Sequence, residues 1–353
     1  EAETAIEALA AETRAWREDR NGWTAHGMRL WKRAPLQRFF GRHARLRFAG
    51  PPRTDRPSMV WANRAASAPK TATQVEDGFL RSRGLGAELI PPLSLVLDDL
   101  GIYYDPATES RLEHLIAARA TLRPDQALRA DRLIAMLTRH GLSKYNRGAA
   151  PPALPDGHRI LVPGQVEDDA SIRAAAGATD TNLALLQTVR AENPDAVILF
   201  KPHPDVEAGL RPGAVPDTSL RGLVDITLTG TDPGLLLAHV QSVWTMTSLL
   251  GFEALLRGVP VTTTGAPFYA GWGLTRDLGQ IPSRRTAKPT LGGLVHATLI
   301  DYPRYLDSVT GTPCPVEVVA DRLAHGPMPD PGRSNRLLAK LQGALATHAH
   351  LWR

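Results

Sequence analysis

Apolar and polar positions along the chain follow two different rhythms, and the change of rhythm divides it. Residues 1–22 form a polar, Ala-rich run with Glu1, Glu3, Glu7 and Glu12, which predicts a polar helix or a remainder of a longer chain. Short β-type runs come next, at Met59–Trp61, Thr73–Val75, Leu93–Leu97 and Ile102–Tyr104, punctuated by Pro51, Pro52, Pro91 and Pro92. Two helices are predicted over Glu109–Ala120 and Pro124–His140. Leu112, Leu115 and Ile116 recur at helical spacing in the first, and Leu128, Leu133, Ile134 and Leu137 in the second, which Gly141 ends.

Ala149–Gly157 (AAPPALPDG) reads as a linker. Beyond it the pattern becomes regular. Strands are predicted at Arg159–Pro163, Ala196–Phe200, Val224–Leu228, Val243–Met246 and Val259–Thr264, and helices at Thr181–Glu192, Pro233–Val240 and Leu249–Arg257. Such alternation is the pattern of a parallel sheet with crossover helices. The expected architecture is α/β, two Rossmann-like domains facing a cleft. Residues 23–155 form the acceptor-side domain, 156–325 the nucleotide-binding domain, and 326–353 a C-terminal helix.

Length and composition narrow the reading. A chain of 353 residues suits two domains, and 43% apolar with 22% charged residues is a globular balance. The single cysteine, Cys314, excludes a disulfide framework or a cysteine metal cluster and suits a reducing compartment. No apolar run approaches the roughly 18 residues of a membrane span, and the N-terminal residues do not read as a signal peptide. The net charge is +5, and Arg29, Lys32, Arg33, Arg38, Arg42, Arg45 and Arg47 crowd together with Trp31, Phe39 and Phe40 among them. That stretch suits nucleic acid, anionic lipid or an acidic sugar, against the plainer reading of a solvated basic helix.

Four clusters carry chemistry, each just past a predicted strand, where an α/β sheet presents its functional edge. In Val75-Glu76-Asp77-Gly78, followed by Phe79-Leu80-Arg81-Ser82, adjacent carboxylates point to opposite sides, so one can face a cleft. The plain alternative is a turn salt-bridged to Arg81. Pro163–Ser171 (PGQVEDDAS) brings Gln165 and three consecutive acids, Glu167, Asp168 and Asp169; a hard cation or a helix cap would also account for them. In Lys201-Pro202-His203-Pro204-Asp205 a histidine held between prolines stands beside a lysine, apt for a phosphate. Finally, Thr247 or Ser248 caps a helix carrying Gly251 and Glu253, with Tyr269 and Trp272 further on. A phosphate at the cap and a ribose at Glu253, about 7.5 Å along the axis, would fit a nucleotide. Motifs for P-loop hydrolysis, hydride transfer and zinc chemistry are absent from the sequence.

Together these motifs resemble the paired motifs of bacterial CMP-sugar transferases with the GT-B fold, and more closely the KpsC-type capsule polysaccharide synthesis family of retaining β-Kdo transferases. The resemblance rests on Glu76–Gly86 with PPLSLVLDDLGIYY (91–104), on 163–171, on Lys201–Asp205 and on SLLGFEALLRGVPVTTTGAPFYAGWG (248–273), and covers roughly residues 24–310. KpsC proteins carry two such modules; this chain resembles one, and PGQVEDDAS is more like the C-terminal one. The resemblance implies CMP-β-Kdo as donor, a Kdo-terminated glycolipid as acceptor, no cofactor or metal, and a second module in a longer chain; no nucleic-acid partner is expected, and the basic stretch Arg29–Arg47 is expected to hold the module against the anionic inner membrane surface from the cytoplasmic side. Asp169 is implied as nucleophile of a double displacement and Glu76 or Asp77 as base. Lys201, His203, Pro204, Thr247, Ser248, Gly251 and Glu253 are implied to hold the donor, and Arg81, Ser82, Gln165, Tyr269 and Trp272 the sugars. A CMP-sialic acid transferase and an inactive polysaccharide-binding module are the alternatives.

Overall fold

A computed structural model describes residues 2–48, 55–84, 89–144, 146 and 148–327. The predicted C-terminal helix lies almost wholly outside them, as does the end of the Glu76–Gly86 motif.

The described chain builds two six-stranded sheets. The first holds β1 (Thr24–His26), β2 (Ser58–Trp61), β3 (Thr73–Asp77) and β4 (Ser94–Asp98). The second holds β5 (Arg159–Pro163), β6 (Val197–Lys201), β7 (Ile226–Thr227), β8 (Ser242–Thr245), β9 (Val261–Thr263) and β10 (Arg276–Asp277). β11 (Pro303–Leu306) and β12 (Pro313–Cys314) then return to the first sheet, whose order is β1-β2-β3-β4-β11-β12.

The second sheet, ordered β10-β9-β8-β5-β6-β7, is parallel throughout, as the strand–helix alternation predicts. The first is mixed: β1, β2 and β3 run parallel, whereas β4, β11 and β12 pair antiparallel. This corrects the expected boundaries, because residues 303–314 complete the first sheet rather than belonging to the second domain. Their reason for returning is an edge: β11 takes the ladder that β4 would otherwise leave open.

Helices α1 (Ala2–Asp19), α2 (Leu30–Phe40), α3 (Arg111–Ala118) and α4 (Pro124–Arg139) belong to the first half. In the second are α5 (Ala170–Ala175), α6 (Asn182–Glu192), α7 (Pro204–Glu207), α8 (Asp217–Leu220), α9 (Pro233–Leu236), α10 (Leu249–Leu256) and α11 (Leu291–Val295). α12 (Val316–His325) follows β12. α1 is tied to the first sheet: Arg14 donates to the Asp301 and Pro303 carbonyls, and Asp19 pairs with Arg304 of β11. Nor is Ile102–Tyr104 a strand. The Asp98 carboxylate accepts from the Leu100 and Gly101 amides and turns the chain immediately after β4.

One apolar core runs through both halves, joining Phe79, Leu93 and Ile102 to Phe252, Phe268 and Tyr269. Buried ion pairs reinforce it: Glu113 of α3 accepts from Arg284 and Arg285, and Arg285 also donates to the Pro267 and Ala270 carbonyls. The basic stretch folds inward more than its composition suggests. Pro35, Leu36, Phe39 and Phe40 of α2 are buried against Trp61 and Leu95, so the two phenylalanines do not interleave with the arginines on an open face.

Candidate active site

Two neighbouring carboxylates end β3, and they are held in opposite states. Asp77 Oδ2 accepts from Arg81 Nε at 2.9 Å. Burial would raise its carboxyl, but the Arg81 guanidinium and the Lys32 ammonium outweigh that and hold it at about 2. Glu76 lacks that guanidinium contact. Burial pushes it up to about 7, against the pull of Lys32. One residue is a fixed anion, the other a carboxyl poised to take a proton near neutrality. Asp77 Oδ1 is buried with no hydrogen-bond partner.

The three acids after β5 are drawn apart. Glu167 accepts from the Asn182 amide at 2.8 Å and anchors the start of α6. Asp168 pairs with Arg211 at 2.5 Å. Asp169 is the N-cap of α5, with both bonds from Ser171, amide and hydroxyl, falling on Oδ2. The capping account of this cluster therefore holds for Asp169, which nevertheless remains half-buried at the sheet edge. Among the described residues no three His, Cys, Asp or Glu side chains converge to hold a metal ion.

His203 caps α7 by accepting the Asp205 amide on Nδ1 at 3.1 Å. Burial lowers its pKa, with the Asp205 and Asp169 carboxylates pulling the other way. The neutral imidazole then carries its proton on Nε2, a donor rather than a cation. Lys201 is committed elsewhere: Nζ donates to Glu207 at 2.5 Å and to the Pro202 carbonyl. These bonds steady the turn around Pro202.

Asp169 is the meeting point of the halves. Its charge acts on His203 and on Tyr103 and Tyr104, the two tyrosines of the turn after β4. Glu76 acts on the same tyrosines; burial first, then these carboxylates, raise both phenols. Glu76, Asp169, His203 and the tyrosine pair thus share one locality built from both sheet edges. Sequence reasoning does not place the tyrosines at the site, although both belong to the 91–104 motif. Their signal is the pair of adjacent tyrosines two residues past Gly101, in a run that reads as a strand from sequence but folds as a turn.

Other expected contacts have internal duties. Gln165 Nε2 donates to Thr247 Oγ1, while its Oε1 accepts from Thr245 Oγ1 and the Thr247 amide, locking the loops after β5 and β8 together. Arg81 and Ser82 are buried, with Arg81 donating to Asp77, Ser82 and the Ile90 carbonyl, and Ser82 to the Gly84 carbonyl. Tyr269 and Trp272 are core residues whose polar atoms reach the Ser248 and Phe268 carbonyls.

Ser248 is the cap of α10, accepting from the Leu250 amide at 3.2 Å. Gly251 is there for Tyr269, since a Cβ would overlap the tyrosine hydroxyl. Glu253 accepts from the Lys144 amide at 2.8 Å, and burial pushes it up to about 7. The Lys144 carbonyl in turn accepts from the Ser82 amide, so this short segment clamps α10 to the first half.

A family model described as capsule polysaccharide biosynthesis protein matches residues 54–155 and 154–305. The chain belongs to this family, as a KpsC-type member. It is 43% identical over 316 residues to the capsule polysaccharide modification protein LipA of Neisseria meningitidis serogroup B, covering 84% of this chain and 44% of LipA. It is 46% identical over 249 residues to the lipopolysaccharide-processing protein LpsZ of Rhizobium meliloti, covering 69% of this chain and 56% of LpsZ. The chain thus spans about half the length of these curated relatives. Among solved structures it is similar to two parts of Thermosulfurimonas dismutans KpsC. The beta Kdo 2,4 transferase superposes with a TM-score of 0.77 at 33% identity, covering 86% of this chain and 97% of that one. The beta Kdo 2,7 transferase superposes with a TM-score of 0.70 at 34% identity, covering 86% and 98%.

Proposed function

We propose that the chain is a GT-B-like retaining glycosyltransferase module that moves Kdo from CMP-β-Kdo to a Kdo-terminated glycolipid during capsule synthesis. The observation that carries this reading is the convergence of Asp169, His203 and Glu76 from two sheet edges, in a chain similar over most of its length to two Kdo transferases.

The chemistry runs in two displacements. The Asp169 carboxylate attacks the anomeric carbon of Kdo, the bond from that carbon to the phosphate oxygen breaks, and CMP departs with the electron pair. His203 Nε2–H stabilises the charge gathering on the phosphate, and the Ser248 end of α10 supplies further N–H dipoles. The acceptor hydroxyl then loses its proton to Glu76 and attacks the same carbon, and the glycosyl ester breaks to restore Asp169. Two inversions return the original configuration. Glu253 takes the ribose through the oxygen that Lys144 does not use. The departing group carries one phosphate rather than a pyrophosphate, so the transfer runs without a metal or other cofactor.

In this reading the module works at the cytoplasmic face of the inner membrane, where a lipid-linked acceptor would be met, beside a second transferase module in a longer chain. No described helix is long and apolar enough to cross a membrane. The test is incubation with CMP-Kdo made in situ and a synthetic Kdo-terminated acceptor, with the product read by mass and NMR. A product one Kdo heavier with retained configuration is expected. Transfer from CMP-sialic acid instead, or saturable glycan binding without CMP release, would displace this reading by one of its alternatives.

A further inference from the structure

α1 is built the wrong way round for a solvated surface helix. Its five acids are all tied to arginines: Glu3 to Arg132, Glu7 to Arg129, Glu12 to Arg42, Glu18 to Arg14, and Asp19 to Arg304. Four of these partners lie elsewhere in the fold, so the helix spends its charge holding itself to the protein body. Its outward stripe is apolar. Ile6, Leu9 and Trp16, with Thr13 between the last two, follow the three-and-four spacing of one helical face and are 65%, 68% and 50% exposed. Ala5 and Ala10 flank them, also exposed. A helix that only bordered water would place these groups the other way.

The exposed charges at the C-terminal end of the stripe are arginines. Arg17 and Arg20 are exposed at its C-terminal end, and the Arg20 guanidinium lies 4.9 Å from the Trp16 ring centre. Arg42, bonded to Glu12, brings the loop after α2 against the helix flank, and Arg45 and Arg47 of that loop are exposed. An apolar stripe with a tryptophan in it, closed at its C-terminal end by arginines, suits a plane that is apolar beneath and anionic above.

We infer that the outer face of α1, together with the arginines at 17, 20, 42, 45 and 47, docks the chain on an anionic lipid surface, with Ile6, Leu9 and Trp16 entering the headgroup region. This deepens the glycolipid reading above, yet it can be tested without donor or acceptor. Transfer can therefore fail while docking stands, and docking can fail while transfer stands.

The experiment is flotation of the full chain with vesicles of phosphatidylcholine, alone or with phosphatidylglycerol, alongside Ile6→Ser/Leu9→Ser/Trp16→Ser. Binding only to the phosphatidylglycerol vesicles, weakened about tenfold or more in the triple variant, is the expected result. A second reading guards against a triple variant that folds poorly. Brominated lipid should quench fluorescence of the native chain, and Trp16→Phe, which keeps the stripe apolar and still binds, should lose most of that quenching. Undiminished flotation of a folded triple variant, or quenching unchanged in Trp16→Phe, would overturn the proposal. So would a dimer in the absence of lipid that the triple variant disperses, since the stripe would then be covered by a second copy.

Discussion

Arg81 Nε lies 2.9 Å from Asp77 Oδ2, and this ion pair separates the chemistry of two consecutive carboxylates. Without it Asp77 and Glu76 would compete for the same proton. With it Asp77 stays ionised, and the proton that moves near neutrality belongs to Glu76.

The pH dependence has a definite sign. Glu76 must be ionised to act as base, so transfer should rise with pH through about 7 and level off above it. Stability should move oppositely. A carboxyl whose folded pKa is raised binds its proton more tightly when folded, so its contribution declines as pH climbs from the ordinary 4.5 to about 7. Asp77 does the reverse: its contribution is present above 3.8 and is lost as pH falls toward about 2. Rate profiles and melting curves of Glu76→Gln should lose the features near 7. A profile left unchanged would remove Glu76 from the role of base.

Asp169→Asn should fold, because asparagine caps a helix about as well as aspartate, and should bind CMP without transferring. In Glu76→Gln the first displacement proceeds and the second stalls, so the chain should gain the mass of one Kdo on exposure to donor. Peptide mapping should locate the adduct between Gly164 and Arg173. An adduct on Glu167 or Asp168 would move the nucleophile; none in any variant, with Asp169→Asn fully active, would replace double displacement by a front-face substitution.

His203→Ala should weaken CMP binding by about 1–3 kcal/mol, the worth of one hydrogen bond to a charged phosphate. Burial keeps this imidazole uncharged, so affinity should hold steady as pH rises above 7. Calorimetric titration tests both statements, and unaltered affinity in the variant would dissociate His203 from the phosphate.

Gly251→Ala should destabilise the chain by about 1–3 kcal/mol through overpacking, because the added methyl overlaps the Tyr269 hydroxyl. Tyr269→Phe gives up the bond to the Ser248 carbonyl and should cost about 0.5–1.5 kcal/mol. If Tyr269 were a sugar contact instead, Tyr269→Phe would alter acceptor KM with the melting temperature unmoved.

Chelation separates the metal-free reading from its rival. Transfer should persist in excess EDTA. Loss of transfer, restored by a divalent cation, would reassign the carboxylates after β5 as ligands.

Residue order alone specified much of the second half. The strand at 159–163 and the helix starting after Thr181 stand where periodicity put them, because a parallel strand buried on both faces and a capped amphipathic helix each leave a local imprint. The four clusters were legible for a similar reason: each sits where a strand must stop, marked by Gly, Pro or consecutive acids. Partnerships across long separations were settled only in three dimensions. That Glu253 serves Lys144, that Gln165 serves Thr247, and that residues 303–314 rejoin the first sheet have no local signature. A buried polar group takes whichever partner folding brings within reach, and its ionisation depends on that partner and on the water it has lost. Glu76 and Asp77 are adjacent acids in the sequence and are buried alike; the Arg81 side chain makes them chemically different.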